Sequence, residues 1–107
     1  MPNSKQPVPP CRVVSQYNSA GEKVFELVTA DGSLELRVSS LAVSGGERRW
    51  HVAAQSADSA AITCEAETKR HALSKVAAQW AEQSADLGLP RFDWLAIETA
   101  LLAVRGI

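Results

Sequence analysis

The last predicted helix, residues 94–105, is apolar on almost every side. When successive residues are placed about 100° apart, one charged row interrupts its surface, formed by Arg91, Glu98 and Arg105. The apolar residues fall into two stripes, one with Trp94, Ile97, Leu101 and Val104 and the other with Leu95 and Leu102. A helix that is apolar on several sides is usually buried on several sides. We therefore expect this helix to lie in a tight core or against a partner, most simply a second copy of the chain.

Length and composition are those of one globular domain. The chain has 107 residues, of which 46% are hydrophobic and 21% charged. Its net charge of −1 argues against a general polyanion binder, because such proteins are usually basic overall. No apolar stretch approaches the ~20 residues of a membrane span, and no apolar run near the start indicates a secretory signal. Two cysteines are too few for a disulfide scaffold, so we expect a cytoplasmic protein. Because no membrane span is predicted, we also expect no membrane partner.

The prolines divide the chain into a tail and a folded part. Residues 1–10 contain four of the five prolines. Proline lacks an amide donor and has a fixed φ, so this composition is typical of a disordered or extended tail. We expect a tail over residues 1–10 and a single α+β domain over residues 11–107.

Alternation of apolar and polar residues predicts an antiparallel meander of four or five strands in the first two thirds of the chain. The clearest hairpin has the pair Asp31-Gly32, which favours a type I′ turn. A turn at these two residues sets Phe25 opposite Val38 on an apolar face. It also sets Glu26 opposite an arginine, Arg37, on the other face, which favours the pairing.

The other strand boundaries are predicted from weaker signals. A first strand is expected over residues 11–17, followed by a loop over 18–23. The apolar phase changes near residues 39–40, which indicates a bulge or a bend. Two glycines at 45–46 indicate a second hairpin turn, and a short strand is expected over residues 60–64.

Near Glu65 the apolar period changes from two to 3.6, which indicates that helices follow the strands. Thr68 is the predicted N-cap of the first helix, and Gly88 followed by Pro90 is its predicted end. The predicted core stripe of this helix contains Leu73, Val76, Ala77, Trp80, Ser84 and Leu87. Asp93 is the predicted N-cap of the final helix. We expect both helices to pack on one face of the sheet, as a two-layer α+β sandwich.

The strongest polar feature is a basic cluster. It has two members at the start of one predicted strand and three in the helix that follows the next strand, namely Arg48, Arg49, Lys69, Arg70 and Lys75. Antiparallel topology brings both groups to the same end of the sheet, where a helix N-terminus attracts anions. The cluster is therefore a candidate anion or nucleic-acid site. The alternative is a solvated face neutralised by the nearby Glu47, Glu65 and Glu67.

The basic start and alanine-rich body of residues 68–78, after a predicted β-hairpin, resemble the last helix of a double-stranded-RNA-binding domain. The resemblance covers about a tenth of the chain. The first helix of that family and its Gly-rich approach to this motif have no counterpart in the sequence.

The sequence contains no motif for metal binding or catalysis. Cys11, Cys64, His51 and His71 are metal-ligand types, but no two of them have the short spacing of structural zinc sites. No Ser, Cys, His and Asp set lies in a nucleophile motif. We therefore predict no catalytic residues, no metal ligands and no cofactor.

These features of the sequence suggest three candidate functions. The first is a non-enzymatic interaction module that forms a homodimer or binds another protein through the last helix, with the candidate interface Trp94, Ile97, Leu101 and Val104. The alternative is a nucleic-acid-binding domain that uses the basic cluster where strand 48–56 meets helix 68–87. The least favoured is an enzyme, which would need a deep pocket containing His51 or Cys64.

Overall fold

Five strands are followed by two helices in the computed structural model, which describes residues 11–42, 45–57 and 59–104. The strands are β1 (Cys11–Ser19), β2 (Glu22–Thr29), β3 (Gly32–Ala42), β4 (Arg48–Gln55) and β5 (Ile62–Ala66). The helices are α1 (Lys69–Leu87) and α2 (Trp94–Ala103). The strands pair in chain order, each antiparallel to the next. Helix α1 lies over β4 and β5 and α2 lies over β1, which confirms the predicted α+β meander with two C-terminal helices.

The predicted tail over residues 1–10 and the predicted last residue of the final helix, Arg105, lie outside the described residues. None of the helices in the described part of the chain is long and apolar enough to cross a membrane.

The first hairpin is tighter than the predicted loop over residues 18–23. Strand β1 runs to Ser19, and the turn contains two residues, Ala20 and Gly21, with φ of 51° and 81°. Positive φ at both central positions is the geometry that matches the twist of paired strands. The loop prediction was wrong because cross-strand pairing extends β1 through residues of low strand propensity such as Asn18, which pairs with Lys23.

The second hairpin is shifted by two residues from its predicted register. Phe25 lies opposite Leu36 rather than Val38, and the turn is Ala30-Asp31 rather than Asp31-Gly32. The hydroxyl of Thr29 explains the shift, since it accepts from the Asp31 amide at 3.0 Å and donates to the Gly32 carbonyl at 3.0 Å. A shift of two residues keeps every side chain on its predicted face, so the apolar face is unchanged.

The shift changes the charges that face each other on the outer side of the sheet. Glu26 lies opposite Glu35, and Arg37 lies opposite Val24. Two carboxylates in this position repel each other. Arg37 offsets this repulsion. On its own strand its Nε donates to Glu35 Oε1 at 2.7 Å. On the neighbouring strand β2, Glu22 Oε1 is 3.4 Å from Arg37 Nη1.

The predicted bulge at residues 39–40 is absent, because β3 pairs with β4 in regular register as far as Ala42. The apolar side chain that suggested the change of phase, Leu41, is exposed. A bulge occurs instead in β1, between Val13 and Ser15. It leaves Val14 exposed and reverses the direction of the side chains that follow it.

Strand β5 and helix α1 follow the predicted order with small changes at their ends. The strand is Ile62–Ala66, two residues later than predicted. The Thr68 N-cap is confirmed, since its hydroxyl accepts from the His71 amide at 3.1 Å. Gly88 ends α1 in the left-handed region with φ 67°. Placing Leu87 on the core stripe was wrong, because it is 54% exposed.

The residue that takes the place expected for Leu87 is Leu89. The reversal at Gly88 returns the chain toward α1, and the Leu89 amide donates to the Ser84 carbonyl at 2.9 Å. This bond is typical of a helix that ends in a left-handed residue, and it places the next apolar side chain against the helix. Leu89 is accordingly buried.

The predicted N-cap of α2 is confirmed, since Asp93 Oδ1 accepts from the Ala96 amide at 3.2 Å. Before this cap, Phe92 packs beside Trp80 with ring centroids 5.5 Å apart. The Trp80 indole nitrogen donates to the Pro90 carbonyl at 2.8 Å. The connection between the helices is therefore fixed by both apolar packing and a hydrogen bond.

Candidate functional site

The predicted interface residues of α2 divide between the core and the surface. Ile97 and Leu101 are 0% exposed and pack in the core of their own chain. Trp94 is half-buried, with its ring centroid 5.8 Å from that of Trp80. Val104, which follows the last turn of α2, is 37% exposed. The stripe chosen as an interface is therefore mainly the side of α2 that packs on the sheet.

The other apolar stripe of α2 remains accessible. Leu95 is 75% exposed and Leu102 is 42% exposed. They are seven residues apart, so they lie on the same side of the helix about two turns from each other. We call Leu95, Thr99 and Leu102 the α2 surface. The sequence already shows this second stripe, but helical periodicity alone does not show which stripe faces the sheet.

A groove with a volume of ≈ 610 Å³ runs between α2 and the start of β1. Alanines of α2 form much of one wall, and Cys11 and Val13 lie on the β1 side. The groove exists because small side chains such as Ala96 and Ala100 do not fill the space between the helix and the strand. It borders the α2 surface at Leu95 and extends the apolar area to the edge of the sheet.

The α2 surface requires no charged partner. The acidic residue of α2, Glu98, accepts a hydrogen bond from Arg70 Nη2 at 2.8 Å. The Thr99 hydroxyl donates to the Leu95 carbonyl at 2.9 Å within the helix. Glu98 and Thr99, which lie beside the exposed leucines, therefore have partners within the chain, which suits burial against a second apolar surface.

Both cysteine thiols are buried and free. Burial raises the pKa of Cys11, and the nearby carboxylate of Asp93 raises it further. Burial also raises the pKa of Cys64, while the Lys75 ammonium lowers it by a smaller amount. A raised pKa keeps the thiol protonated and unreactive, so neither group is an activated nucleophile.

Three of the five predicted basic residues contact a glutamate within the chain. Arg49 Nε is 3.9 Å from Glu65 Oε1, and Lys75 Nζ donates to the Glu65 carbonyl at 3.1 Å. Arg70 binds Glu98 on α2. The structure therefore brings Arg49 and Lys75 together at Glu65 and directs Arg70 toward the other helix.

Arg48 and Lys69 have neutral partners. Arg48 Nη1 donates to Ser40 Oγ at 2.9 Å, and Lys69 Nζ lies 4.9 Å from the centroid of the Trp50 ring. A third cation, Lys23, lines a hollow with Trp50 and was not included in the predicted cluster. Its position follows from strand alternation, since Lys23 is two residues before the buried Phe25 and shares its face.

The described ranges contain no group of three or more His, Cys, Asp and Glu side chains that could hold a metal ion. His51 lies opposite Glu65 and Cys64 lies opposite Val52, so His51 and Cys64 point to opposite faces of the sheet. His51 and Cys64, the two residues named for an enzyme, therefore do not come together in one site. Comparison of the chain with protein-family models, with curated proteins and with solved structures found no match.

Proposed function

We propose that the protein is a non-enzymatic interaction module that self-associates through the α2 surface and the adjoining groove. The observation that carries this proposal is the exposure of Leu95, which is 75% accessible beside an apolar groove. Contiguous exposed apolar surface in a globular protein marks a site of interaction.

A second copy of the chain suits this surface because its exposed leucines are uncharged and the two charged residues that line the groove, Arg12 and Asp93, have opposite signs. In a two-fold dimer each copy contributes the same patch, so the patch has to be self-complementary. An antiparallel pair of α2 helices would place Leu95 of one copy near Leu102 of the other. Glu98 would not oppose this arrangement, since it is bound to Arg70 in its own chain.

The size of the α2 surface limits the strength of association. Helix α2 has ten residues and is therefore about 15 Å long. A stable interface usually buries about 800 Å² on each partner, which is more than one side of such a helix provides. We therefore include the groove wall on β1 in the interface and expect association in the micromolar range.

We also propose a cytoplasmic location. The two free thiols lie on β1 and β5, the two edge strands of the sheet, which keeps them apart. Unpaired buried thiols suit a reducing compartment.

Sedimentation or light scattering across a wide range of concentrations tests self-association. We expect the average mass to rise from one chain toward two as concentration increases. Replacing both exposed leucines, Leu95→Glu with Leu102→Glu, should hold the mass at one chain. Leu87→Glu is the matched control, because Leu87 is also exposed but ends the other helix.

The control is expected to associate as the unchanged chain does. A mass of one chain at every concentration would overturn the proposal. Equal loss of association in the control would show that added charge, rather than the α2 surface, is responsible.

A further inference from the structure

At one end of the sheet, the face that carries the helices has a hollow of ≈ 290 Å³ with no helix residue in its lining. Its walls come from four neighbouring strands and include Asn18, Lys23, Ser40 and Trp50. Strand alternation places these side chains on the helix-bearing face, because Trp50 is two residues before the buried Val52. Trp50 is only half-buried there. We call this place the Trp50 hollow.

Three cations border the Trp50 hollow. Lys23 lines it directly. Arg48 reaches it through Ser40, whose hydroxyl accepts from Arg48 Nη1 at 2.9 Å. Lys69 reaches it over Trp50, with its Nζ 4.9 Å from the ring centroid. They come from β2, β4 and the first turn of α1, so the fold brings together positive charges that are far apart in sequence.

These three cations differ from the nearby arginines that are paired with glutamates, and from Lys75, which donates to the Glu65 carbonyl. Within the described ranges, Arg37, Arg49 and Arg70 each form a salt bridge with a glutamate, whereas Lys23, Arg48 and Lys69 form none. Their contacts are with a hydroxyl and with aromatic rings, including that of Phe25, whose centroid is 5.9 Å from Lys23 Nζ.

One carboxylate, that of Glu22, also lines the hollow. Its Oε1 is 3.4 Å from Arg37 Nη1, so its charge is already balanced within the chain. The three cations at the hollow therefore outnumber its one carboxylate, although the net charge of the whole chain is −1.

We propose that the Trp50 hollow binds single-stranded nucleic acid, with one base stacked on Trp50 and phosphates held by Lys23, Arg48 and Lys69. Sites that bind single strands combine a positive groove with an aromatic ring that accepts any base. The hollow has both parts. This site is separate from the α2 surface and does not depend on self-association.

The aromatic ring distinguishes this ligand from other anions. Free phosphate would use the cations alone and would not need Trp50. A duplex keeps its bases stacked inside, so its phosphates would meet the cations while Trp50 found no base. The ring and the three cations together match a strand whose bases are free.

Lys69 would exchange one contact for another when single-stranded nucleic acid binds. Its ammonium group now covers one face of the Trp50 ring. A base that stacks on that face displaces the ammonium, which then pairs with the adjoining phosphate. The exchange is favourable because an exposed cation–π contact is weaker than base–aromatic stacking, and a new ion pair replaces it.

Fluorescence anisotropy with a labelled oligothymidine of about 12 nucleotides tests the proposal. The full chain is titrated at several salt concentrations between about 25 and 200 mM NaCl. Each phosphate contact on a single strand contributes a slope of about −0.7 to the logarithm of affinity against the logarithm of salt concentration. Three contacts predict a slope of about −2. An unlabelled duplex of the same length should compete poorly.

Two single variants separate the roles of the cations and the ring. Lys69→Gln should reduce the magnitude of the slope by about 0.7, because one phosphate contact is lost. Arg70→Gln is its matched control, since Arg70 is the next residue on the same helix but is bound to Glu98, and the slope should not change. Trp50→Leu keeps an apolar side chain without a ring and should weaken binding about 5- to 150-fold, the range for loss of one stacked base.

The outcomes are distinct. Absence of binding at low salt overturns the proposal. Binding that Trp50→Leu leaves unchanged, or for which duplex competes equally, also overturns it and would show a plain anion-binding patch. If Trp50→Leu fails to fold, competition by the duplex still separates a single-strand site from a plain anion-binding patch, and Lys69→Gln beside Arg70→Gln still shows whether phosphates are bound at this hollow.

Discussion

Arg70 in the first turn of α1 and Glu98 in the middle of α2 form an ion pair, with Nη2 and Oε1 2.8 Å apart. The pair joins the two helices. The pair neutralises Arg70, a member of the predicted basic cluster, and Glu98, the acidic residue of α2. Both candidate surfaces are therefore shaped by a contact between residues 28 positions apart in sequence.

The stability of this pair can be measured by a double-mutant cycle with Arg70→Gln and Glu98→Gln. The Arg70 side chain is well exposed, so solvent screens the interaction. We expect a coupling free energy of about 0.2–1 kcal/mol, determined from urea unfolding. The coupling should decrease in about 1 M salt, where exposed charges are screened over about 3 Å. A coupling that does not change with salt would contradict this description.

The two sides of α2 should differ sharply in their effect on folding. Ile97→Ala or Leu101→Ala should lower the free energy of unfolding by about 2–5 kcal/mol, because each side chain is fully buried. Leu95→Ala should change it by less than about 0.5 kcal/mol, because that side chain is exposed. The measurement is denaturant unfolding at concentrations where the chain is monomeric. A large loss at Leu95 together with a small loss at Ile97 would mean that α2 is rotated.

The turn between β2 and β3 depends on the conformation of Gly32, whose φ is 141°. L-residues rarely adopt this φ, so Gly32→Ala should lower the free energy of unfolding by about 1–3 kcal/mol. The cost is conformational, because an added Cβ would meet only the Pro90 side chain at an ordinary 3.9 Å.

The first hairpin provides the opposite substitution as a control. Ala20 has a φ of 51°, so Ala20→Gly should raise the free energy of unfolding or leave it unchanged. Thermal unfolding of both variants beside the unchanged chain measures both effects. Equal effects of the same sign would argue against these backbone conformations.

The buried thiols should make the fold less stable in alkali. Burial raises the pKa of Cys11 and of Cys64 above their ordinary value of 9.0, so the folded chain keeps both protons to a higher pH than the unfolded chain. Where the unfolded state binds fewer protons, the free energy of unfolding falls as pH rises. The stability that the two buried, protonated thiols contribute is therefore present below pH 9 and is lost as the pH rises through their pKa values in the folded chain.

Denaturant unfolding at about pH 8 and about pH 10 checks this expectation. The unchanged chain should lose more stability between the two pH values than a variant with Cys11→Val and Cys64→Val, because the variant has no thiols to titrate. Lysine and tyrosine titrate in both chains, so their effect cancels in the comparison. An equal loss in the variant would show that the thiols do not contribute. A thiol reagent should react slowly with the folded chain and rapidly after unfolding.

Local features of the sequence were enough to predict the start of each helix and the end of α1, whereas α2 ends at Ala103, before the predicted end at residue 105. Thr68 and Asp93 cap their helices through side-chain bonds to amides three residues later. Gly88 ends α1 because it accepts a left-handed conformation. Each of these interactions involves residues that are close in sequence, so a short segment is enough to predict it. Strand registers and the β1 bulge depend on pairing partners and were predicted less well.

The same contrast applies to the candidate sites. Both groups of basic residues were visible in the sequence, but Lys23 was missed because it lies two strands away from Trp50. The apolar character of α2 was also visible. Its orientation was not, because both of its stripes are apolar and either one satisfies the periodicity.

The sequence by itself determined the kinds of elements, their order and the apolar faces of β2, of β4 and of the first part of β3, because these follow from periods of two and 3.6 and from local caps. The tertiary structure alone decided the rotation of α2 and the partners of the cations. The physical reason is that each of these is a competition between alternatives of similar local energy. Packing of Trp94 against Trp80 and pairing of Arg70 with Glu98 decide that competition from positions distant in the chain.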